Sequence, residues 1–177
     1  MRKLHLDELG RKSIEEYKQS PKIPVTVVLD NIRSGLNVGS ILRSCDAFAI
    51  KNVVLTGITA RPPHREILKT AIGAESSVSW SYHEHIADYL RTTRESSRVV
   101  IIGIEQTDKS LPLHELPLDN DSEYMIVFGN EVEGINNAAL ELLDLAVEIP
   151  QFGTKHSLNV AVCAGIVLWY LQDRLRS

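Results

Sequence analysis

A surplus of basic charge is missing from this sequence. Its 19 Lys and Arg against 23 Asp and Glu leave a net charge of -4 and a pI near 5.9, which excludes holding nucleic acid by bulk electrostatics. Cysteine is nearly absent. Cys45 and Cys163 lie far apart in apolar surroundings, with neither a disulfide framework nor zinc-type spacing, and a reducing, cytoplasmic setting is the simplest expectation. Gly 10 and Pro 7 among 177 residues are too few for a linker-rich or collagenous chain. The longest apolar run, Val160 to Leu171, falls well short of the roughly 20 residues that span a bilayer and reads as a buried helix. The N-terminus meets charge at Arg2 and Lys3, so no export signal is expected.

What remains is one ordinary globular domain, 44% apolar and 24% charged, long enough to bury its core without staples. The charge is uneven. Residues 1–88 carry 12 Lys and Arg against 10 Asp and Glu, residues 89–177 carry 7 against 13. Two basic patches lie in the first half. One is Arg61-Pro62-Pro63-His64-Arg65 with Lys69, the other Arg2, Lys3, Arg11, Lys12, Lys18 and Lys22. Each is a solvated face or a phosphate grip.

Residues 1–22 read as a basic helical extension, stopped by Pro21 and Pro24. From residue 23 onward, to 177, short β-branched runs alternate with helical stretches, the pattern of an α/β fold with a mainly parallel sheet and flanking helices. Strands are predicted at Val25–Leu29, Asn52–Leu55, Val78–Ser81, Val99–Ile104, Tyr124–Phe128 and Ala146–Ile149. Helices are predicted at Val38–Ala49, Arg65–Ile72, His83–Ser96, Asn136–Leu143 and from about Leu158 to Leu175.

Three polar, glycine-containing stretches, Asp30 to Gly39, Gly129 to Gly134 and Pro150 to Asn159, each follow a predicted strand. In a parallel sheet such loops converge beyond the carboxyl ends of the strands, where ligands bind. No stretch reads Gly-Lys-Ser/Thr or G-x-G-x-x-G, which disfavours a P-loop NTPase and a standard dinucleotide-binding domain. The glycines at 129 and 134 make a tight strand-to-helix turn or a close backbone approach to a ligand. Arg43, in the first turns of the helix predicted at Val38, is a surface arginine or a fork for a phosphate-bearing ligand. Ser157 and His156 are adjacent and point apart in an extended chain, so a nucleophilic dyad is disfavoured. Ser157 and Asn159 suit helix N-capping, with room for ligand contact. Glu131 and Glu133 read as loop carboxylates. His83 and His85, two apart on the predicted helix, face different ways, and no metal is expected.

Three motifs together carry a resemblance. They are Asn31-x-Arg33-Ser34-x-x-Asn37-x-Gly39-x-x-x-Arg43, then Phe128-Gly129-Asn130-Glu131-x-Glu133-Gly134, then Ile149-Pro150-x-x-Gly153-x-x-x-Ser157-Leu158-Asn159-x-Ala161. In this order, across residues 25–171, the chain resembles the SPOUT superfamily of RNA methyltransferases, in its SpoU/TrmH branch of ribose 2'-O-methyltransferases. The resemblance implies a domain over residues 23–177 with a C-terminal trefoil knot, an exception to the usual connection rules. It also implies S-adenosyl-L-methionine as cofactor, a homodimer whose site borrows from both chains, and RNA as partner, tRNA before rRNA. Cofactor contacts map to Gly129, Asn130, Ile149, Pro150, Ser157 and Leu158, with the loop near Ile104 and Glu105 closing the pocket.

The same mapping makes Arg43 the catalytic arginine, with Asn37, Glu131, Ser157 and Asn159 supporting it. A guanidinium stays protonated below a pKa of about 12, so gripping phosphate and stabilising the developing alkoxide suits Arg43 better than acting as a base. The chain departs from the pattern at Arg33-Ser34-Gly35-Leu36-Asn37, where relatives commonly read Arg-Asp-Pro-Gly-Asn, and at Val132, where a glycine is common. Neither departure removes a residue assigned to chemistry. Rival readings are a non-catalytic RNA-binding protein on the same fold and a small-molecule nucleotide enzyme, the latter lacking its glycine fingerprint.

Overall fold

A computed structural model describes residues 1–176. After a 3-10 turn at Leu6–Leu9, the chain forms α1 (Ile14–Gln19), β1 (Ile23–Asp30), α2 (Gly35–Ala47), β2 (Ile50–Thr56), α3 (Arg65–Ala71) and α4 (Ala74–Ser77). It continues with β3 (Trp80–His83), α5 (Ile86–Ser96), β4 (Val99–Ile104), β5 (Leu111–Pro112), β6 (Glu123–Phe128), α6 (Asn137–Leu140), β7 (Leu145–Glu148) and α7 (Val160–Leu175). Seven strands, all paired in parallel, lie in the order β3-β2-β1-β6-β4-β7-β5.

Parallel strands covered on both faces need apolar residues at successive positions. In β1, Val27 and Leu29 enter the core cluster under α2, α3, α4 and α7, and Val28 between them enters the second cluster under α5 and α6. The same alternation puts Val53 and Leu55 on one side of β2 and Val54 on the other. α7 buries Val160, Ala164, Val167, Leu168 and Leu171 and packs beside α2.

Six predicted strands are present, with boundary differences that have local causes. β3 pairs from Trp80 to His83 rather than from Val78, because Val78 ends the unpredicted α4 and is buried in the core. His83 therefore ends a strand and packs its ring against Tyr89 at 4.3 Å, while His85 stands at the N-cap position of α5 without a side-chain capping bond; the prediction of both on one helix is corrected. β5 was not predicted; only two residues pair there. α2 starts at Gly35, not Val38, because the Ser34 side chain accepts from the Asn37 N–H. The N-terminal segment is not one helix. Gly10, at φ 55°, ends the first turn, and Ser13 with Glu16 forms a capping box that starts α1. Tyr17 alone of α1 is buried and donates to the Cys45 carbonyl at 3.3 Å.

A buried polar lattice joins the carboxyl ends of the strands. Asp30, 1% exposed, accepts from the Asn136 N–H at 2.8 Å, from Asn31 Nδ2 at 2.8 Å and from the Thr56 hydroxyl at 3.3 Å. Asn31, at a positive φ of 55°, extends this lattice, its backbone carbonyl accepting from Asn130 Nδ2 at 2.7 Å. Burial raises the Asp30 carboxyl above its ordinary range, with the hydrogen bonds opposing.

Asp30→Asn puts an NH2 among donors and is expected to cost about 1–3 kcal/mol. Because burial raises the folded-state pKa, the stability linked to Asp30 is fully present below its unfolded pKa and is lost as pH rises through the folded value. Urea denaturation should thus find the widest gap between wild type and variant in acid, and a gap that widens toward neutral pH would contradict the assignment.

Candidate functional site

The loop after β6 folds back on itself. Asn130 and Gly134 exchange backbone hydrogen bonds at 2.9 and 3.0 Å, and Asn130 Oδ1 accepts from the N–H groups of Val132 and Glu133 at 2.8 and 3.2 Å. Gly134 takes φ 71°, and a Cβ on Gly129 would run into the Gly134 carbonyl carbon and the Ile135 nitrogen. Glycine at both ends is what lets so tight a loop form.

This loop, the end of β4 and the segment after β7 enclose an open cavity of about 250 Å³. Ile104, Phe128, Val147, Ile149 and Leu158 supply apolar wall; Glu105, Asn130, Glu131, Glu148 and Ser157 supply polar groups. No Lys, Arg or His lies among its described lining residues. Of the positions assigned to cofactor contact, Gly129, Asn130, Ile149, Ser157 and Leu158 line the cavity, and Pro150 does not; its side chain is exposed beside it.

Asn37, Glu131 and Asn159, far apart in sequence, meet at the rim. Asn37 Nδ2 donates to Glu131 Oε1 at 2.8 Å, and Asn159 Nδ2 donates to Asn37 Oδ1 at 3.2 Å. Asn159 Oδ1 also accepts from the N–H groups of Ala161 and Val162, capping α7. The cap is thus Asn159 alone, because α7 begins at Val160 and leaves Ser157 two residues upstream, on the cavity wall.

Arg43 is not at the cavity. With α2 starting at Gly35, it lies eight residues on, about 12 Å along the axis, and the expected place in the first turns of the helix is corrected to the third turn. It is exposed where two grooves meet. One, of about 590 Å³, includes Arg11, Lys12, Asp46 and Arg176; the other includes Ser40, Lys69 and Thr70. The predicted basic patch at Arg61 to Arg65 also has an anchor, Arg61 resting 4.1 Å over the Tyr82 ring.

Asp30, Asn31 and Glu105 are legible in the sequence as members of their loops, with no role marked for their side chains. Asp30 and Asn31 tie the first two loops together, and the one available signal was a polar pair directly after an apolar strand. Glu105 Oε2 accepts from the Ile135 N–H and Oε1 from the Gln106 N–H, both at 3.0 Å; no spacing announces that. Among the described residues no group of three His, Cys, Asp or Glu is placed to hold a metal, and no helix is long and apolar enough to cross a membrane.

Residues 24–169 match the model of the SpoU rRNA Methylase family. The chain is 32% identical over 145 residues to the 23S rRNA (guanosine-2'-O-)-methyltransferase RlmB of Neisseria meningitidis, covering 82% of this chain and 56% of that protein. It is 29% identical over 171 residues to the tRNA (guanosine(18)-2'-O)-methyltransferase of Thermus thermophilus, covering 96% and 86%. The structure of an AdoMet-bound rRNA methyltransferase from Sinorhizobium meliloti superimposes with a TM-score of 0.76 at 25% identity, covering 94% of this chain and 62% of that one.

The cap geometry separates two neighbouring residues. Asn159→Ala is expected to lower stability by about 1 kcal/mol, the cost of an N-cap, and Ser157→Ala to stay within about 0.5 kcal/mol. Denaturant titration of both variants checks this, and the reverse order would contradict it.

Proposed function

The chain belongs to the SpoU rRNA methylase family, and from that premise we propose that it is an RNA methyltransferase using S-adenosyl-L-methionine to methylate a ribose 2'-hydroxyl. The observation that carries the reading is the meeting of Asn37, Glu131 and Asn159 at the rim of the cavity. The cavity suits the cofactor. Its apolar walls accept an adenosyl group, its lining acids match a cation, and it lacks the basic residues a nucleotide phosphate would need. When bound, the cofactor supplies a methyl group on a positively charged sulfur.

The chain's own residues then do the positioning. Gly129 and Ile149 bring backbone to the cofactor, with Asn130, Pro150, Ser157 and Leu158 beside them. Glu131 holds Asn37, and Asn37 holds Asn159, fixing the rim against which the ribose rests. Arg43 grips the neighbouring phosphate and steadies the charge that develops on the 2'-oxygen. Arg11, Lys12, Lys69 and Arg176 continue its two grooves as a path for the RNA backbone. Transfer RNA is the preferred substrate, because the likeness to the tRNA-modifying relative runs over 96% of this chain and that to the rRNA-modifying one over 82%; rRNA is the alternative.

A homodimer completes the proposal. On α7, Val162, Ile166 and Trp169 are 53%, 39% and 56% exposed at i, i+4 and i+7 spacing, an apolar stripe that asks for cover. α2 packs beside α7, so pairing through this stripe would carry Arg43 of one protomer toward the cavity of its partner. The trefoil knot belongs to the same reading. It is supported by the strand order, with β7 between β4 and β5, and by the return of the chain through α7 to α2. Residues 23–177 would be the catalytic domain and residues 1–22 its RNA-contacting extension, working in the cytoplasm.

Methyl transfer from labelled cofactor is expected to tRNA in preference to rRNA; no transfer to either would overturn the reading. Arg43→Ala is expected to lower the rate about 100-fold or more while calorimetry finds unchanged cofactor affinity. Sedimentation should give twice the 19.8 kDa chain mass, and Trp169→Glu the single mass. A wild-type monomer would contradict the dimer.

A further inference from the structure

Resting on the reading of the cavity as an S-adenosylmethionine site, we propose that Glu105 makes this site discriminate by charge, favouring the methyl donor over its demethylated product S-adenosylhomocysteine. The two ligands share adenosine, ammonium and carboxylate. They differ by one methyl group and by the positive charge on sulfur, so a fixed negative charge in the cavity wall separates them.

Glu105 is built as such a charge. It follows β4 directly, and its two oxygens are held by separate backbone donors, Ile135 N–H and Gln106 N–H. A carboxylate has about four acceptor sites; these two bonds leave the rest for a ligand in the cavity that Glu105 lines. Room for it depends on Gly134, where a Cβ would collide with Glu105 Oε2. The next residue extends the brace, since Gln106 Nε2 donates to the His156 carbonyl at 2.9 Å. The residues 105–106 thereby join the end of β4 to both other loops of the site.

The surroundings do not cancel this charge. The other acids on the cavity wall are Glu131, engaged by Asn37, and Glu148, which accepts from the Ser110 hydroxyl at 3.1 Å; no described cation lines the wall. Across the cavity, burial and then the Glu105 charge push the Cys163 thiol up to about 11. A negative wall costs little while a cation fills it. Transfer forms the O–CH3 bond, breaks the S–CH3 bond with its electron pair left on sulfur, and releases the hydroxyl proton to solvent. The ligand left behind has lost the charge that Glu105 attracts, which speeds its departure.

Calorimetry with both ligands on wild type and Glu105→Gln tests this. The variant should weaken S-adenosylmethionine about tenfold, the size of one partly screened charge pair, and S-adenosylhomocysteine by less than about threefold. Equal weakening of both would show that Glu105 only shapes the loop and would overturn the proposal. Should circular dichroism find the variant unfolded, a sodium chloride series on wild type decides. Affinity for the donor should fall more steeply with salt than affinity for the product; parallel slopes overturn the proposal. Failure of wild type to bind either ligand would overturn the underlying reading of the cavity instead.

Discussion

Asp30 is the point on which the arrangement depends. One buried carboxylate at the end of β1 accepts from the first loop through Asn31, from β2 through Thr56, and from the segment after β6 through Asn136. Through Asn31 the same lattice reaches Asn130, whose amide oxygen organises the turn that presents Glu131. The interaction is costly, since burial opposes the charge, and it persists because every donor around it is used. Loops that would otherwise fray independently are thereby held as one rigid edge of the sheet.

A rigid edge is what the chemistry of this family requires. Methyl transfer needs a hydroxyl and an electrophilic carbon in line, and little of it is done by proton transfer within the protein. In the proposed reading the residues at the rim therefore act by position. Asn37 does so from the start of α2, Glu131 from the turn after β6, and Asn159 from the cap of α7, where one side chain both starts a helix and braces the site. Arg43 is the exception. Its place, two turns down α2 between basic grooves, sets it apart from the cavity of its own chain, and in the proposed reading it meets RNA and the cavity of a second protomer.

Much of this was legible in the sequence. The apolar runs at Val25–Leu29, Val99–Ile104 and Tyr124–Phe128 fixed the parallel sheet because strands buried on both faces leave little room for other residues. The three loops were legible as glycine and polar breaks after those runs. Boundaries were harder. Gly35 and Asn37 are poor helix formers, so α2 was read as starting three residues late; the Ser34 cap and packing of Gly35 against α3 override that preference. That shift puts Arg43 in the third turn of α2 instead of the second. Val78 has strand character and was read into β3, but it serves the core at the end of α4. Contacts such as Asp30 to Asn136 or Glu105 to Ile135 join distant segments through backbone groups, and no local pattern encodes them.

The central claim is that three loops at the carboxyl ends of the strands form a single cofactor site. Hydrogen–deuterium exchange with and without S-adenosylmethionine tests it most directly. Slowed exchange is expected together at residues 104–106, 128–135 and 148–159, with the groove around Arg11 and Arg43 unchanged until RNA is added. Protection confined to that groove, or to one loop of the three, would contradict it.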